Sequence, residues 1–155
     1  TGEARGTHCV YFYGGHIAFA MDSLKTLAAM VADLLDRQLA LLVDVPYNHG
    51  LPSNRSGAPA DRAMLNHGFK AVQIGTSAWT AEVLKNIMPA SVFPRSTEFH
   101  NQDKVSMGTI PARDAIRVLE LTDQVAAATL PAANQGVWLR AHAAEARPLQ
   151  PALAA

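Results

Sequence analysis

A single cysteine, Cys9, leaves this chain without the means to make an internal disulfide. Its apolar neighbours suit a small packed hydrophobe in a reducing, cytoplasmic setting better than a nucleophile. Net charge is also missing: Lys+Arg 13 balance Asp+Glu 13. That removes the basic footprint a nucleic-acid backbone requires and the polybasic patch an anionic membrane requires. Nor is there an uninterrupted apolar run. The most apolar stretch, Ile17 to Val43, is broken by Asp22, Lys25, Asp33, Asp36 and Arg37, which a bilayer-spanning helix would not tolerate cheaply. No segment has the pattern of a signal peptide. What the chain does have is 155 residues, 49% of them hydrophobic, enough for one domain with its own core. It opens at Thr1 without an initiator Met, as expected of a piece of something longer.

Helical periodicity dominates. From Ile17 to about Asp44, the residues Met21, Leu24, Ala28, Val31, Leu35 and Leu42 recur in three- and four-residue steps. This predicts one long helix over 17–44. A second row, Ala20, Leu27, Leu34 and Leu41, repeats every seven residues beside the first. The apolar face is therefore wider than a two-stranded seam needs, and several neighbours should cover it. Between residues 45 and 65, Pro46, Asn48, Gly50, Pro52, Asn54, Gly57 and Pro59 destroy the period and predict a loop. A second helix is expected over 66–88, with Phe69, Val72, Trp79, Val83 and Ile87 inward and Pro89 closing it. A polar loop over 89–104 leads to a third helix over 105–144, carrying Ile116, Leu119, Val125, Leu130, Val137 and Leu139, with a kink expected at Pro131. Pro148 and Pro151 put residues 148–155 in a tail. No alternating run bounded by tight turns competes. The expected class is all-α, residues 1–147 forming a single segment of a long-helix bundle that is part of something larger.

Chemistry is sparse. The six histidines are scattered and no His, Cys or carboxylate group has metal-ligand spacing, so no metal site is expected. Gly14-Gly15 is a lone pair at a helix start, a tight turn rather than a phosphate cradle. The informative stretch is Arg95-Ser-Thr-Glu98-Phe-His-Asn101-Gln102-Asp103, which gathers a guanidinium, a carboxylate, an imidazole and two amides just before an apolar helix. It fits two readings: a site, or a helix start capped by Asp103 or Asn101 with Glu98 and Arg95 solvated outside.

The run Ser96-Thr-Glu-Phe-His-Asn-Gln-Asp-Lys-Val-Ser-Met-Gly-Thr-Ile110 resembles the family of histidine, phenylalanine and tyrosine ammonia-lyases and the related 2,3-aminomutases. Phe12-Tyr-Gly-Gly-His-Ile-Ala-Phe-Ala-Met-Asp-Ser-Leu24 resembles it too, in the family's order and separation, and Ala133-Asn-Gln-Gly-Val-Trp-Leu-Arg140 resembles the continuation. The likeness covers most of this chain but only a minor, central-to-C-terminal part of a family member. It implies a mainly helical lyase fold, tetramers whose active sites draw on several subunits, and a methylidene-imidazolone electrophile made autocatalytically from an Ala-Ser-Gly. That triplet is not in this chain: Ser56-Gly57-Ala58 has the wrong order. The family's tyrosine base and carboxylate-binding arginine are expected in segments before Thr1.

By this resemblance Glu98 matches the carboxylate near the substrate amino group, where it would hold or accept the proton an ammonium sheds before its nitrogen attacks. Asn101 and Gln102 match paired amides around substrate and cofactor, and Phe12 an aromatic wall beside the electrophile. The third helix, expected just after Asp103, would aim its positive end at this loop. Tyr11 departs from the family's usual asparagine, and Pro111 and Pro131 from small or aliphatic residues. The Asn-Gln-Asp-Lys stretch resembles the bacterial tyrosine and phenylalanine branch. The implied function is an aromatic amino-acid aminomutase or ammonia-lyase, needing other helical chains or the rest of the enzyme as partner. The competing expectation is an inactive helical assembly piece, and a third, with only helicity behind it, is a peptide- or nucleic-acid-binding module.

Overall fold

The computed structural model describes residues 13–142, together with Gly2. Phe12, Tyr11, Cys9 and the tail 148–155 lie outside the described residues. Three long helices account for most of what is described: α1 (Gly15–Val43), α2 (Lys70–Lys85) and α3 (Thr109–Ala141). A small antiparallel hairpin, β1 (Arg95–Thr97) with β2 (Gln102–Val105), stands between α2 and α3. The chain is thus a segment of a mainly helical bundle, with the hairpin as its one departure among the described residues.

α1 and α3 pack along each other and α2 closes the layer. The contact face is built from small residues. Ala28, Ala29 and Ala32 of α1 meet Val118 and Leu121 of α3 and Val83 of α2, with Trp79 and Ile87 packed at the edge. A second cluster joins Leu39 and Val43 to Ala132, flanked by Phe69 and Val72. Alanines let helix backbones approach closely, so a thin face still buries the bulkier partners. Three threonines fit the same face because their hydroxyls donate to the preceding turn: Thr76 to Val72 O, Thr122 to Val118 O and Thr129 to Val125 O, each at 2.8 Å.

The observed inner face of α1 differs from the expected one. Asp22, Lys25, Ala28, Ala32, Asp36 and Leu39 point in, whereas Val31 and the row Leu27, Leu34 and Leu41 are exposed, the last three at 61%, 57% and 51%. The charged residues turn inward because each finds a polar partner there, and no described residue covers the leucine row. On α3, Val118 and Leu121 carry the core, while Ile116, Leu119 and Leu130 face out. On α2 the inward set is as expected, with Val83 fully buried and Phe69, Val72, Trp79 and Ile87 packed against the two clusters.

The helix limits need correction. α2 starts at Lys70, not Asn66. Gly68 has φ +52, and its amide donates to Asn66 Oδ1 at 2.9 Å, an Asx turn that holds the chain out of the helix until Phe69. It ends at Lys85, short of Met88, because the residue before a proline disfavours the helical region. α3 starts at Thr109, not Val105: residues 102–105 are spent on β2, and Met107 has φ +54. Asn101 and Asp103 therefore cap nothing. α3 then runs unbroken through Pro131, which sits on its exposed side. The loop 44–69 is ordered by two 3₁₀ turns, Ser53–Arg55 and Ala63–Leu65, and clasped by Phe69 N donating to Asn54 O at 2.9 Å.

Candidate active site

Strand pairing brings Arg95 opposite Val105 and Thr97 opposite Gln102, and leaves Glu98, Phe99, His100 and Asn101 as the connecting turn. Three successive non-glycine residues of that turn are left-handed: Glu98 at φ +53, Phe99 at +52 and His100 at +67. Each such residue costs on the order of 1 kcal/mol. Local bonds offset the cost. Asn101 N donates to Glu98 O at 2.9 Å, Thr97 Oγ1 to Gln102 Oε1 at 2.9 Å, and Ser96 Oγ lies 2.9 Å from His100 Nδ1.

The same turn sets the functional groups. Asn101 Nδ2 donates to Glu98 Oε2 at 3.1 Å, so the carboxylate is oriented by the neighbouring amide. Gln102 has its oxygen committed to Thr97, and its Nε2 has no partner among the described residues; nor does Asn101 Oδ1. All three side chains are exposed. The hairpin therefore gathers Glu98, Asn101 and Gln102 and presents a carboxylate, a free amide donor and a free amide acceptor outward. Phe12 lies outside the described residues, but Tyr13 beside it is described: the Lys104 ammonium of β2 sits 4.9 Å from its ring centroid. A Cβ on Gly14 would stand 3.5 Å from Ser106 Oγ, so the start of α1 lies against the exit of the hairpin.

Thr97, Ser96 and His100 were not singled out by sequence reasoning, yet they hold the strained turn. Their signal was present as polar pairs spaced four and five residues apart. Along the chain, β2 and residues 106–108 stand between Glu98 and the start of α3 at Thr109. Elsewhere a cleft of about 500 Å³ is lined by Gly57, Ala58, Asn66, Asn134, Gln135 and Trp138, apart from the hairpin. Among the described residues no group of three His, Cys, Asp or Glu is placed to hold a metal, and no helix is long and apolar enough to cross a membrane.

Long helices enclosing small-residue contacts, with a polar hairpin between the second and third, define a segment of a mainly helical bundle. Comparison with known proteins narrows this. Residues 3–155 match the family described as aromatic amino acid lyase. The chain is 40% identical over 112 residues to tyrosine ammonia-lyase of Cereibacter sphaeroides, covering 72% of this chain and 21% of that enzyme. It is 32% identical over 136 residues to a phenylalanine aminomutase (L-beta-phenylalanine forming) of Taxus chinensis, covering 88% and 20%. The solved phenylalanine aminomutase of Pantoea agglomerans superposes with a TM-score of 0.81 at 31% identity, over 88% of this chain and 26% of that one. The chain belongs to the aromatic amino acid lyase family. It spans about a fifth of the length of these curated relatives.

Proposed function

We propose that this chain is part of an aromatic L-amino-acid 2,3-aminomutase or ammonia-lyase acting on tyrosine or phenylalanine, and that its contribution to the active site is the hairpin carrying Glu98, Asn101 and Gln102, with Phe12 as an aromatic wall. The observation that carries this reading is the bond between Asn101 and Glu98 on a turn of three left-handed residues, because strain retained at exposed polar groups accompanies function. The relatives are named for tyrosine and phenylalanine chemistry, which supports the substrate class.

Each group has a definite task. Glu98, exposed and oriented by Asn101, takes the proton from the substrate ammonium and so frees the nitrogen lone pair; in the reverse direction it returns that proton. Asn101 Oδ1 and Gln102 Nε2 give one acceptor and one donor without adding charge, which suits them to hold a neutral, carbonyl-bearing ring and the substrate amine together. Phe12 excludes water and positions the substrate ring. The methylidene-imidazolone, supplied by a part of the enzyme outside this sequence, is the electrophile that makes ammonia a leaving group. The donor set here fits such a group. Assembly with further helical chains, as a cytoplasmic tetramer, would bring the two parts together.

The test is turnover of tyrosine and phenylalanine by the assembled enzyme, followed by ultraviolet absorbance of the arylacrylate product and by chromatography of the β-amino acid. Glu98→Gln should lower kcat by about a hundredfold or more. Turnover unchanged by that substitution would sink the assignment, and a β-amino acid product would select the aminomutase over the lyase.

A further inference from the structure

Lys25 is the largest fully buried side chain among the described residues, at 0% exposure in the middle of an amphipathic helix. A buried ammonium needs partners on every side, and it has them. Its Nζ lies 2.9 Å from Asp22 Oδ1 and 3.6 Å from Asp114 Oδ2, and donates to the Met88 carbonyl at 2.8 Å. Asp22, also buried, accepts from the Ala90 amide at 3.1 Å and from the Ser91 amide at 2.8 Å. One acid–base pair on α1 thus binds three backbone groups, at Met88, Ala90 and Ser91, of the segment that leads into β1, with Asp114 tying in the first turns of α3.

The other leg of the hairpin returns to the same helix. Ser106, just past β2, is buried, and a Cβ added at Gly108 would lie 3.4 Å from its Oγ and 4.0 Å from Ala18 Cβ. Between these two roots the hairpin is mostly exposed and makes its hydrogen bonds within itself, with Lys104 reaching out over Tyr13 beside the base. Its direction is therefore set at the base, and a change of angle there is multiplied at Glu98.

We infer that Asp22 and Lys25, with Asp114 at their edge, are positioning residues for the reaction: a buried charge clamp that fixes the entry of the hairpin and thereby the place of the Glu98 carboxylate. The inference rests on the reading of Glu98 given above. A purely apolar contact would hold the segment in place but would not fix which backbone amides face α1. A carboxylate accepting two successive amides, braced by an ammonium that also holds the Met88 carbonyl, defines both position and rotation.

Hydrogen exchange of the whole chain and turnover of the assembled enzyme test this together. Asp22→Asn should speed exchange over residues 90–105 by about tenfold more than over Ala28–Val43, and lower kcat with little change in KM. Lys25→Met should do the same, and Lys25→Arg should recover most of the loss. Where Asp22→Asn proves too damaging, Asp114→Asn, at the half-exposed edge of the cluster, should give a smaller effect of the same kind. The decisive arm is the double variant: in a Glu98→Gln background Asp22→Asn should cost nothing further, because its action passes through Glu98. An equal fractional loss in both backgrounds, or exchange speeded no more at 90–105 than elsewhere, overturns the clamp while leaving Glu98 standing. A Glu98→Gln enzyme at full turnover sinks the Glu98 reading, and the clamp's part in catalysis with it.

Discussion

Acidification should loosen this fold through Asp22. Burial alone would push the Asp22 carboxyl up, but hydrogen bonds from Lys25, from Ser91 and from the Ala90 amide outweigh it and hold the group at about 2, against an ordinary value of 3.8. The folded chain therefore keeps Asp22 ionised at acidities where the unfolded chain has already taken up the proton. That difference stabilises the fold fully above the ordinary value and is lost progressively as pH falls from about 4 to about 2. It amounts to about 2 kcal/mol. Urea unfolding followed by circular dichroism, for the parent and for Asp22→Asn at a series of pH values, isolates it. The variant should be less stable by about 2 kcal/mol near neutrality, and most of the gap should close toward pH 2, where about half of the parent's carboxyl is itself neutral. A gap that stays constant across this range would refute the argument, because the loss would then come from shape and not from charge.

Leu121, fully buried against α1 and α2, should cost about 3 kcal/mol when changed to Ala, read as a lower unfolding midpoint with an unchanged denaturant slope. Gly68→Ala should cost about 2 kcal/mol, since a Cβ there meets the Asn54 carbonyl oxygen and φ is +52; loss of exchange protection at the Phe69 amide, which bonds that oxygen, would locate the damage. Arg117 joins α3 to Glu82 of α2 with two bonds at 2.9 Å and 2.7 Å, and the pairing raises its pKa. Yet both groups are about half exposed, so Arg117→Ala should leave the thermal midpoint nearly where it was, and any small shift should vanish in high salt.

The helices were legible because their period is carried by many residues, and on α2 the inward set was legible too. The inner face of α1 was not. Periodicity assigns apolar residues to the inside, and this helix instead buries Asp22, Lys25 and Asp36. Each is buried because a partner distant in sequence receives it: Met88, Ala90 and Ser91 for the first two, and the Ser77 hydroxyl, at 2.7 Å, for Asp36. Such partners lie 41 to 69 residues away, beyond any window in which a pattern is read. The row Leu27, Leu34 and Leu41 shows the converse. Its seven-residue repeat is real, and it is exposed because a repeat says that a face wants covering, not what covers it.

The hairpin was hidden for a different reason. Its strands have three and four residues and its connection contains neither glycine nor proline, so the usual marks of a tight turn are absent. Glycine would relieve the three left-handed residues, but it would also remove the carboxylate of Glu98 and the imidazole that Ser96 engages. The polar composition of residues 95–103 was visible as a cluster that could serve either as a cap or as a site. Geometry removes the cap: the helix begins six residues after Asp103, with Gly108 at its cap position and no side-chain cap bond. Asn101 is then free to orient Glu98. The left-handed turn keeps side chains that glycine would lack: Glu98 accepts from Asn101, and His100 engages Ser96.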